Sequence, residues 1–388
     1  MIKVILISTA TIVSLLSLNY FILPYVWICL AWLIVALYAM KTSKNSNIKA
    51  IWFNLSFLLV VLGLIESFVY LQFTAKQYER RNQMGQPRKL AQPHDLLGYA
   101  AKKNQVVFSR MHYRDELVFD VVYTINANGL RISPSDATGT NPQCILFFGG
   151  SFTFGTGVND HETIPYITGK LTRGKFRIYN FGFPGYGAHQ MLALSENSIL
   201  KDKIKCQPKY VIYQAIFDHV RRSAGLARRD KSDPKYIFNN RNEVVYKGSF
   251  ADNEPPQNFI NTTLKILQKN INKSMIVSKI FHQRSNVSFE QVDLMIGIVN
   301  AARKNFEEAY PESEFHVIFW DIHNIKKSHY LVDSLTKTGL VVHLISDIFQ
   351  EKSIEKIQEK YKIKYDGHPN QLAYRNISEY VVNSIVEE

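Results

Sequence analysis

The hydrophobic positions of this chain follow two patterns, with long unbroken runs near the N-terminus and short runs between polar stretches thereafter. Three apolar runs cover Val4–Leu23, Tyr25–Met40 and Ile51–Phe73, and the last of them carries a single acidic residue. A membrane-spanning helix needs about 20 apolar residues. The pattern therefore predicts a transmembrane region over residues 1–75 with about three helices, the first two joined by a tight turn at Pro24.

Two other interpretations of this region are weaker. A single signal-anchor over residues 4–40 is too long for one bilayer crossing. A cleavable signal peptide fits poorly, because no small-residue cleavage site precedes the polar segment. Lys41, Lys44 and Lys49 make the loop between the second and third runs basic, which favours the cytoplasm for that loop. Basic residues also follow the last run, but long domains translocate largely regardless of charge. We therefore expect a multi-pass protein of a bacterial inner membrane, with its C-terminal domain in the periplasm.

After residue 75 the pattern becomes that of an α/β protein. Residues 76–140 read as a polar linker followed by a small β-rich lead-in with alternating apolar positions. Residues 141–388 read as one domain, with a polar insertion near 223–288 that holds a hairpin over Tyr236–Phe250. Short apolar runs alternate with helical patterns throughout this domain, and such alternation predicts a parallel sheet with right-handed crossovers. The predicted strands lie near 144–149, 176–181, 209–216, 314–320 and 340–345, and the predicted helices include Ala188–Leu200, Val292–Ala309 and a final helix from Gln371 to Glu388.

The first of these strands runs directly into a serine. Cys144 to Phe148 suits a central strand covered on both faces, and Gly149 and Gly150 permit a tight turn before Ser151. Open α/β sheets bind their ligands at this carboxyl edge of the strands. The alternative is that these residues only form a turn at the end of the strand and have no catalytic role. A second residue that could activate the serine would favour the catalytic interpretation.

The C-terminal region supplies such a partner. Asp366 and His368 are two residues apart in a polar stretch just before the predicted final helix. A serine hydroxyl needs a base to take its proton, and the base needs a carboxylate to orient it. An isolated histidine is commonly a surface residue, but the order Ser, Asp, His across one α/β domain favours Ser151, Asp366 and His368 as a catalytic triad.

Together with neighbouring motifs, these residues resemble those of a known family. The chain over about residues 120–388 resembles the SGNH, or GDSL-like, hydrolases, which include esterases and relatives that act in glycan O-acetylation. Residues 149–155 look like the first family block, with Gly150 where the family usually has aspartate. Residues 180–187 look like the second block, and Gly185 matches its oxyanion-hole glycine. The resemblance implies a flavodoxin-like, three-layer α/β/α domain in which the Ser151 and Gly185 amides bind the oxyanion.

The third family block departs from the pattern. Its asparagine normally donates a side-chain hydrogen bond to the oxyanion, and Phe217 stands at that position by register after the predicted strand 209–216. His219 has a ring N–H that would substitute for it, and local pairing of His219 with Asp218 is the alternative. The loss of one such donor typically costs two to three orders of magnitude in rate.

The charge and cysteine content restrict the possible partners of the chain but do not identify its function. The formal net charge is +13, with basic pairs at Arg80–Arg81, Arg221–Arg222, Arg228–Arg229 and Lys326–Lys327. A membrane-anchored chain favours anionic lipid or acidic glycan over nucleic acid as the partner of these clusters, and a solvated basic surface explains each pair equally well. The three cysteines imply no disulfide framework. The sequence contains no metal-ligand cluster, and we expect neither a metal nor a cofactor.

Two hypotheses of different class follow. The chain is a membrane-anchored serine esterase or O-acyltransferase acting on acyl esters of glycans or lipids, or it is a catalytically silent module that binds a glycan or a partner protein. The intact Ser151, Asp366 and His368 favour the enzyme, whereas Phe217 favours the silent module. The sequence identifies neither the acyl group nor any protein partner.

Overall fold

The computed structural model describes residues 6–10, 24–78, 82–84, 86–134, 142–227, 231–252, 287–322 and 326–386. These residues fall into two compact units. The first contains the described residues up to 78, and the second contains residues 82–252 together with 287–386.

Among the described residues, the first unit contains two packed helices, Pro24–Thr42 and Ser46–Tyr78, joined by the short turn 43–45, and residues 6–10 are also helical. Within the described residues, one helix is long and apolar enough to cross a membrane, over Ser46–Leu71, and the apolar stretch Val26–Thr42 is shorter. Most of the predicted first run, Val4–Leu23, lies outside the described residues. The number of spans therefore stays a prediction.

The second unit contains twelve strands among its described residues. They are β1 (Asn82–Met84), β2 (Ala91–His94), β3 (Gly98–Ala101), β4 (Gln105–Tyr113), β5 (Glu116–Ile125), β6 (Gln143–Gly149), β7 (Arg177–Asn180), β8 (Gln207–Ile216), β9 (Pro234–Phe238), β10 (Val244–Ser249), β11 (Glu314–Trp320) and β12 (Val341–Leu344). Its longer helices are Ile164–Leu171, Ala188–Ser195, Phe289–Ala309, Lys326–Lys337, Ile354–Tyr361 and Gln371–Val381, and shorter ones cover Ser151–Phe154, Ser198–Lys203, Asp218–Ser223 and Ile345–Ile348.

Five of these strands form a parallel sheet in the spatial order β7-β6-β8-β11-β12. Numbered along the chain, this is the 2-1-3-4-5 order of a doubly wound sheet, whose switch point lies between the first and third strands. Here those strands are β6 and β8, and their ends meet where Gly149 pairs with Gln214. Ser151 therefore follows the strand that borders the switch point, where doubly wound sheets bind their ligands.

The central strand β6 is apolar because both of its faces are covered. Cys144, Leu146 and Phe148 lie in one hydrophobic cluster, whereas Ile145 and Phe147 lie in a second cluster on the opposite face. Successive side chains of a strand point to opposite faces, so a strand with both faces buried has no polar alternation. Helices pack on both sides of the sheet, and the prediction of a parallel α/β sheet is confirmed.

The segment before the sheet is more ordered than a linker. Strand β1 pairs with β4, and β4 pairs with β5, in a three-stranded antiparallel sheet, while β2 and β3 form a hairpin. Strands β1 and β2 fall in the region expected to be linker, because both are short and have no clear alternation of apolar and polar residues. The predicted hairpin near 236–250 is present as β9 and β10, and residues 253–286 of the expected insertion lie outside the described residues.

Two helix predictions differ from the structure at their C-terminal ends. The helix expected over Ala188–Leu200 ends at Ser195, where the Asn197 side chain caps the Ala193 carbonyl at 2.8 Å, and a new helix begins at Ser198. The last regular helix ends at Val381 and continues as a π-helical turn to Val386.

The expectation of no disulfide was wrong. Cys144, at the start of β6, is bonded to Cys206, which directly precedes β8, with a Cα–Cα distance of 5.9 Å. Strands β6 and β8 are neighbours, and Cys144 pairs in register with Pro208. The strand order therefore places together two cysteines that are 62 residues apart.

Candidate active site

The turn after β6 accepts glycine alone at its first position. Gly149 has a φ of +149°, and a Cβ there would collide with the Thr153 hydroxyl and lie 2.8 Å from the carbonyl oxygen of Gln214. The turn ends in the short helix Ser151–Phe154, so Ser151 lies at a helix start directly above the sheet edge. Only 9% of Ser151 is exposed.

The structure brings Ser151, His368 and Asp366 together. The His368 Nε2 atom lies 2.9 Å from the Ser151 hydroxyl oxygen, and its Nδ1 atom is hydrogen-bonded to the Asp366 carboxylate. The carboxylate is 5% exposed and the imidazole 23% exposed. A carboxylate accepts only, so Nδ1 carries the hydrogen and Nε2 is left to accept from the serine. The arrangement is that of a nucleophile, a base and an orienting carboxylate.

The loop that carries this pair is held by its own backbone. The Ile363 N–H donates to the His368 carbonyl at 2.8 Å, and the Asp366 N–H donates back to the Ile363 carbonyl at 3.1 Å. Gly367 has a φ of +88°, which bends the chain so that the His368 N–H also reaches the Asp366 carboxylate at 3.3 Å. One residue between Asp366 and His368 is therefore sufficient for their side chains to meet.

The N–H of Ser151, which begins a helix, and that of Gly185, in the loop after β7, are among the backbone N–H groups near Ser151 that lack partners within the described residues. The flanking polar groups of this loop are bonded, since the Tyr186 N–H donates to Phe183 and the Gly187 N–H donates to the Gln190 side chain. A loop that leaves one N–H unpaired in this way resembles the donor side of an oxyanion hole.

The space beside Gly150 is filled by neighbouring polar groups. A Cβ on Gly150 would lie 2.8 Å from Arg222 Nη1, 3.0 Å from the Tyr186 carbonyl oxygen and 3.1 Å from His219 Nε2. Arg222 also donates to that carbonyl at 2.7 Å and forms an ion pair with Asp218. A side chain at position 150 would therefore crowd these groups.

His219 lies buried beside this turn. Its Nδ1 atom is 2.7 Å from the Tyr213 hydroxyl, and its Nε2 atom has no hydrogen-bond partner among the described residues. Burial, with Arg222 and His189 adding to it, holds the pKa of His219 well below its usual range, so the ring is neutral. When Tyr213 donates to Nδ1, Nε2 carries the hydrogen. Asp218 bonds Arg221 and Arg222, so the alternative of an Asp218–His219 pair has no support.

Arg131 supports the turn that carries Ser151 in a way that the sequence did not reveal. Its fully buried guanidinium donates to the carbonyls of Phe154 and Val158, both at 2.7 Å, and forms an ion pair with Asp160 at 2.8 Å. Burial lowers its pKa and Asp160 opposes this effect. The bond to Phe154 satisfies the last carbonyl of the helix that begins at Ser151, and the bond to Val158 holds the segment that follows it. The signal in the sequence was an arginine after a lead-in strand, which is uninformative without its partners.

Comparison with known proteins adds little to this geometry. No family model matches the chain, and no curated protein matches it. Solved structures similar to it include an acetyl xylan esterase from the rumen bacterium Butyrivibrio proteoclasticus, with 9% identity, a TM-score of 0.32 and coverage of 74% of this chain and 73% of that one. Another is a carbohydrate esterase whose active site displays divergent catalytic and non-catalytic binding functions, with 12% identity, a TM-score of 0.32 and coverage of 80% and 98%. Both are carbohydrate esterases, but a TM-score of 0.32 is too low for either likeness to bear on the activity of this chain.

Proposed function

We propose that this chain is a membrane-anchored serine esterase or O-acyltransferase of the SGNH type. The observation that carries the proposal is the 2.9 Å contact between Ser151 and His368 Nε2, with Asp366 on the other ring nitrogen. This contact joins residues 217 positions apart at the switch point of a doubly wound sheet. A structural hydrogen bond has no need of the third group, whereas a nucleophile does.

In the proposed reaction, the Ser151 oxygen attacks the carbonyl carbon of an acyl ester while His368 Nε2 takes the serine proton. Asp366 holds the imidazole and stabilises its charged form. The N–H groups of Ser151 and Gly185 bind the oxyanion that forms. The C–O bond to the leaving alkoxide then breaks, and His368 donates its proton to that alkoxide. Water or a sugar hydroxyl attacks the resulting acyl-serine, which distinguishes the hydrolase from the transferase.

We further propose His219 as a third oxyanion donor. Its neutral ring and its Nε2 atom beside Gly150, the residue before Ser151, support the role. Phe217, which precedes the helix Asp218–Ser223, offers no donor. Without His219 the oxyanion hole would consist of two backbone N–H groups. One missing donor costs about 3–4 kcal/mol in the transition state.

The substrate that we propose is an acylated glycan or lipid at the outer face of the bacterial inner membrane. The apolar helix over Ser46–Leu71 supports an anchor, and the basic residues Lys41 and Lys44 at one end of the helix pair support a cytoplasmic turn. The Cys144–Cys206 disulfide supports an oxidising compartment such as the periplasm for the second unit.

A catalytically silent module is the second candidate, because Phe217 removes the family's usual oxyanion donor. Labelling with a fluorophosphonate probe separates the two candidates, since the probe reports an activated serine whatever the substrate. We expect covalent labelling at Ser151 in the full chain, none in Ser151→Ala, and none in His368→Ala. Asp366→Asn should label far more slowly, because the imidazole loses the partner that fixes its tautomer. A wild-type chain that stays unlabelled while a control serine esterase reacts would support the silent module.

The proposed location has its own test. Alkaline phosphatase fused after Glu388 folds only outside the cytoplasm, so we expect an active fusion. A fluorescent fusion of green fluorescent protein together with an inactive phosphatase fusion would reverse the topology and move the substrate to the cytoplasmic side.

A further inference from the structure

The β2–β3 hairpin of the lead-in is bonded to the loop that carries Gly185. The Tyr99 hydroxyl donates to the Pro184 carbonyl at 3.0 Å, and the Tyr186 hydroxyl donates back to the Tyr99 carbonyl at 2.6 Å. The Tyr99 ring also packs against the rings of Phe183 and Tyr186, with centroids 5.9 Å and 5.3 Å away. Two reciprocal hydrogen bonds and two ring contacts therefore join segments that are about 85 residues apart.

The bond from Tyr99 to the Pro184 carbonyl affects the Gly185 N–H, because this carbonyl and this N–H belong to the same peptide group. A trans peptide is planar, and its C=O and N–H point in opposite directions. No cis peptide is present among the described residues. When Tyr99 fixes the carbonyl of Pro184 on one side, the N–H of Gly185 is aimed to the opposite side. Donation to a carbonyl also polarises the peptide and strengthens its N–H as a donor.

The hairpin itself is anchored at its turn. Gly98 has a φ of +76°, and a Cβ there would lie 2.8 Å from the backbone nitrogen of Asp233. Asp233 accepts from Gln190 Nε2 at 2.9 Å, and Gln190 Oε1 accepts the Gly187 N–H at 2.8 Å. Asp233 therefore packs against Gly98 of the hairpin and is linked through Gln190 to the loop that carries Gly185, which gives Tyr99 a second point of support.

We infer that Tyr99 is a positioning residue of the oxyanion hole, which orients and polarises the Pro184–Gly185 peptide toward the substrate. The inference rests on the proposed function, since it assigns a role within that reaction. It gives the lead-in a part in catalysis, although Tyr99 touches neither the substrate nor Ser151. The oxyanion develops only in the transition state, so the loss of Tyr99 should lower kcat more than it raises KM.

The test compares Tyr99→Phe with Tyr236→Phe in the full chain, purified in detergent, with p-nitrophenyl acetate as substrate. The Tyr236 hydroxyl donates to Glu196 at 2.6 Å, so Tyr236→Phe likewise removes one partly buried hydrogen bond, away from the Gly185 loop. We expect Tyr99→Phe to lower kcat about tenfold, with KM within about twofold of wild type, because the aim of one donor is lost while the donor itself stays. Tyr236→Phe should keep the wild-type kcat.

Tyr186→Phe removes the other half of the same pair of bonds and keeps the bond to Pro184, so it serves if Tyr99→Phe unfolds. If Tyr99→Phe folds, Tyr186→Phe should retain more activity than Tyr99→Phe at equal thermal stability. If Tyr99→Phe unfolds, the kcat of Tyr186→Phe should stay within about threefold of the wild-type value. A kcat loss in Tyr186→Phe that equals or exceeds that of Tyr99→Phe, or that exceeds about threefold when Tyr99→Phe unfolds, would show that the contact matters only for stability and would overturn the inference. An active wild type with Tyr99→Phe matching Tyr236→Phe would do the same and leave the proposed function intact. A wild type with neither turnover nor fluorophosphonate labelling would instead overturn the proposed function.

Discussion

Gly150 offers a sharp test of the geometry around Ser151. In Gly150→Ala the new methyl group would lie 2.8 Å from Arg222 Nη1, 3.0 Å from the Tyr186 carbonyl oxygen and 3.1 Å from His219 Nε2. The arginine end can move, but the carbonyl is backbone and cannot do so without shifting the Gly185 loop. A small substitution that looks harmless in the sequence should therefore disturb both stability and turnover.

The expected loss of stability in Gly150→Ala can be estimated from the overpacking and from the hydrogen bond that is broken. Overpacking by one methyl group costs about 1–3 kcal/mol. Displacing Arg222 also loses its 2.7 Å bond to the Tyr186 carbonyl, and a hydrogen bond to a charged group contributes about 1.5–3 kcal/mol. We expect a loss of about 3 kcal/mol in the free energy of unfolding, since the two effects overlap. A shifted Gly185 N–H should lower kcat by about two orders of magnitude.

The assay combines urea unfolding with initial rates of aryl acetate hydrolysis. Gly150→Asp introduces a larger side chain at the same position, and we expect it to be at least as damaging as Gly150→Ala. The control is the double variant Gly150→Ala with Arg222→Ala, which removes the crowding guanidinium. It should lose less stability than the sum of the single variants. Wild-type kcat and unfolding free energy in Gly150→Ala, or a gain of activity in Gly150→Asp, would refute the reasoning.

Three further predictions concern separate parts of the second unit. Reduction, or Cys206→Ser, should lower the free energy of unfolding by up to about 4 kcal/mol, because the Cys144–Cys206 bond closes a loop of 62 residues; equal unfolding curves with and without reductant would contradict this. His219→Ala should lower kcat by about two to three orders of magnitude with little change in KM, and full turnover would leave two backbone N–H groups as the whole oxyanion hole. Burial, with His316 adding to it, lowers the pKa of His343 to about 4, so the unfolded chain takes up a proton below about pH 6.5 while the folded chain does not. Stability should therefore fall between about pH 6.5 and pH 4, and His343→Gln should flatten that decline; an unchanged pH profile in the variant would exclude His343 as its cause.

The sequence by itself determined the elements whose signals are local. The strand before Ser151 is apolar from Cys144 to Phe148 because both of its faces are buried, and that pattern can be recognised in the sequence alone. The glycines at 149 and 150 and the Asp366–His368 pair are likewise short-range patterns. The alternation of strands and helices then predicted the parallel sheet, since few topologies satisfy it.

Only the tertiary structure decided the contacts between segments distant in sequence. The Cys144–Cys206 bond depends on β6 and β8 being neighbours, and neither cysteine marks the other in the sequence. Tyr99, in a short strand with a weak pattern, meets Pro184 because the hairpin folds back onto the loop after β7. The sequence contains Arg131 but does not show that its guanidinium binds the carbonyls around the helix that begins at Ser151. Such partners follow from strand order and loop paths, which depend on the packing of the whole domain rather than on any local run of residues.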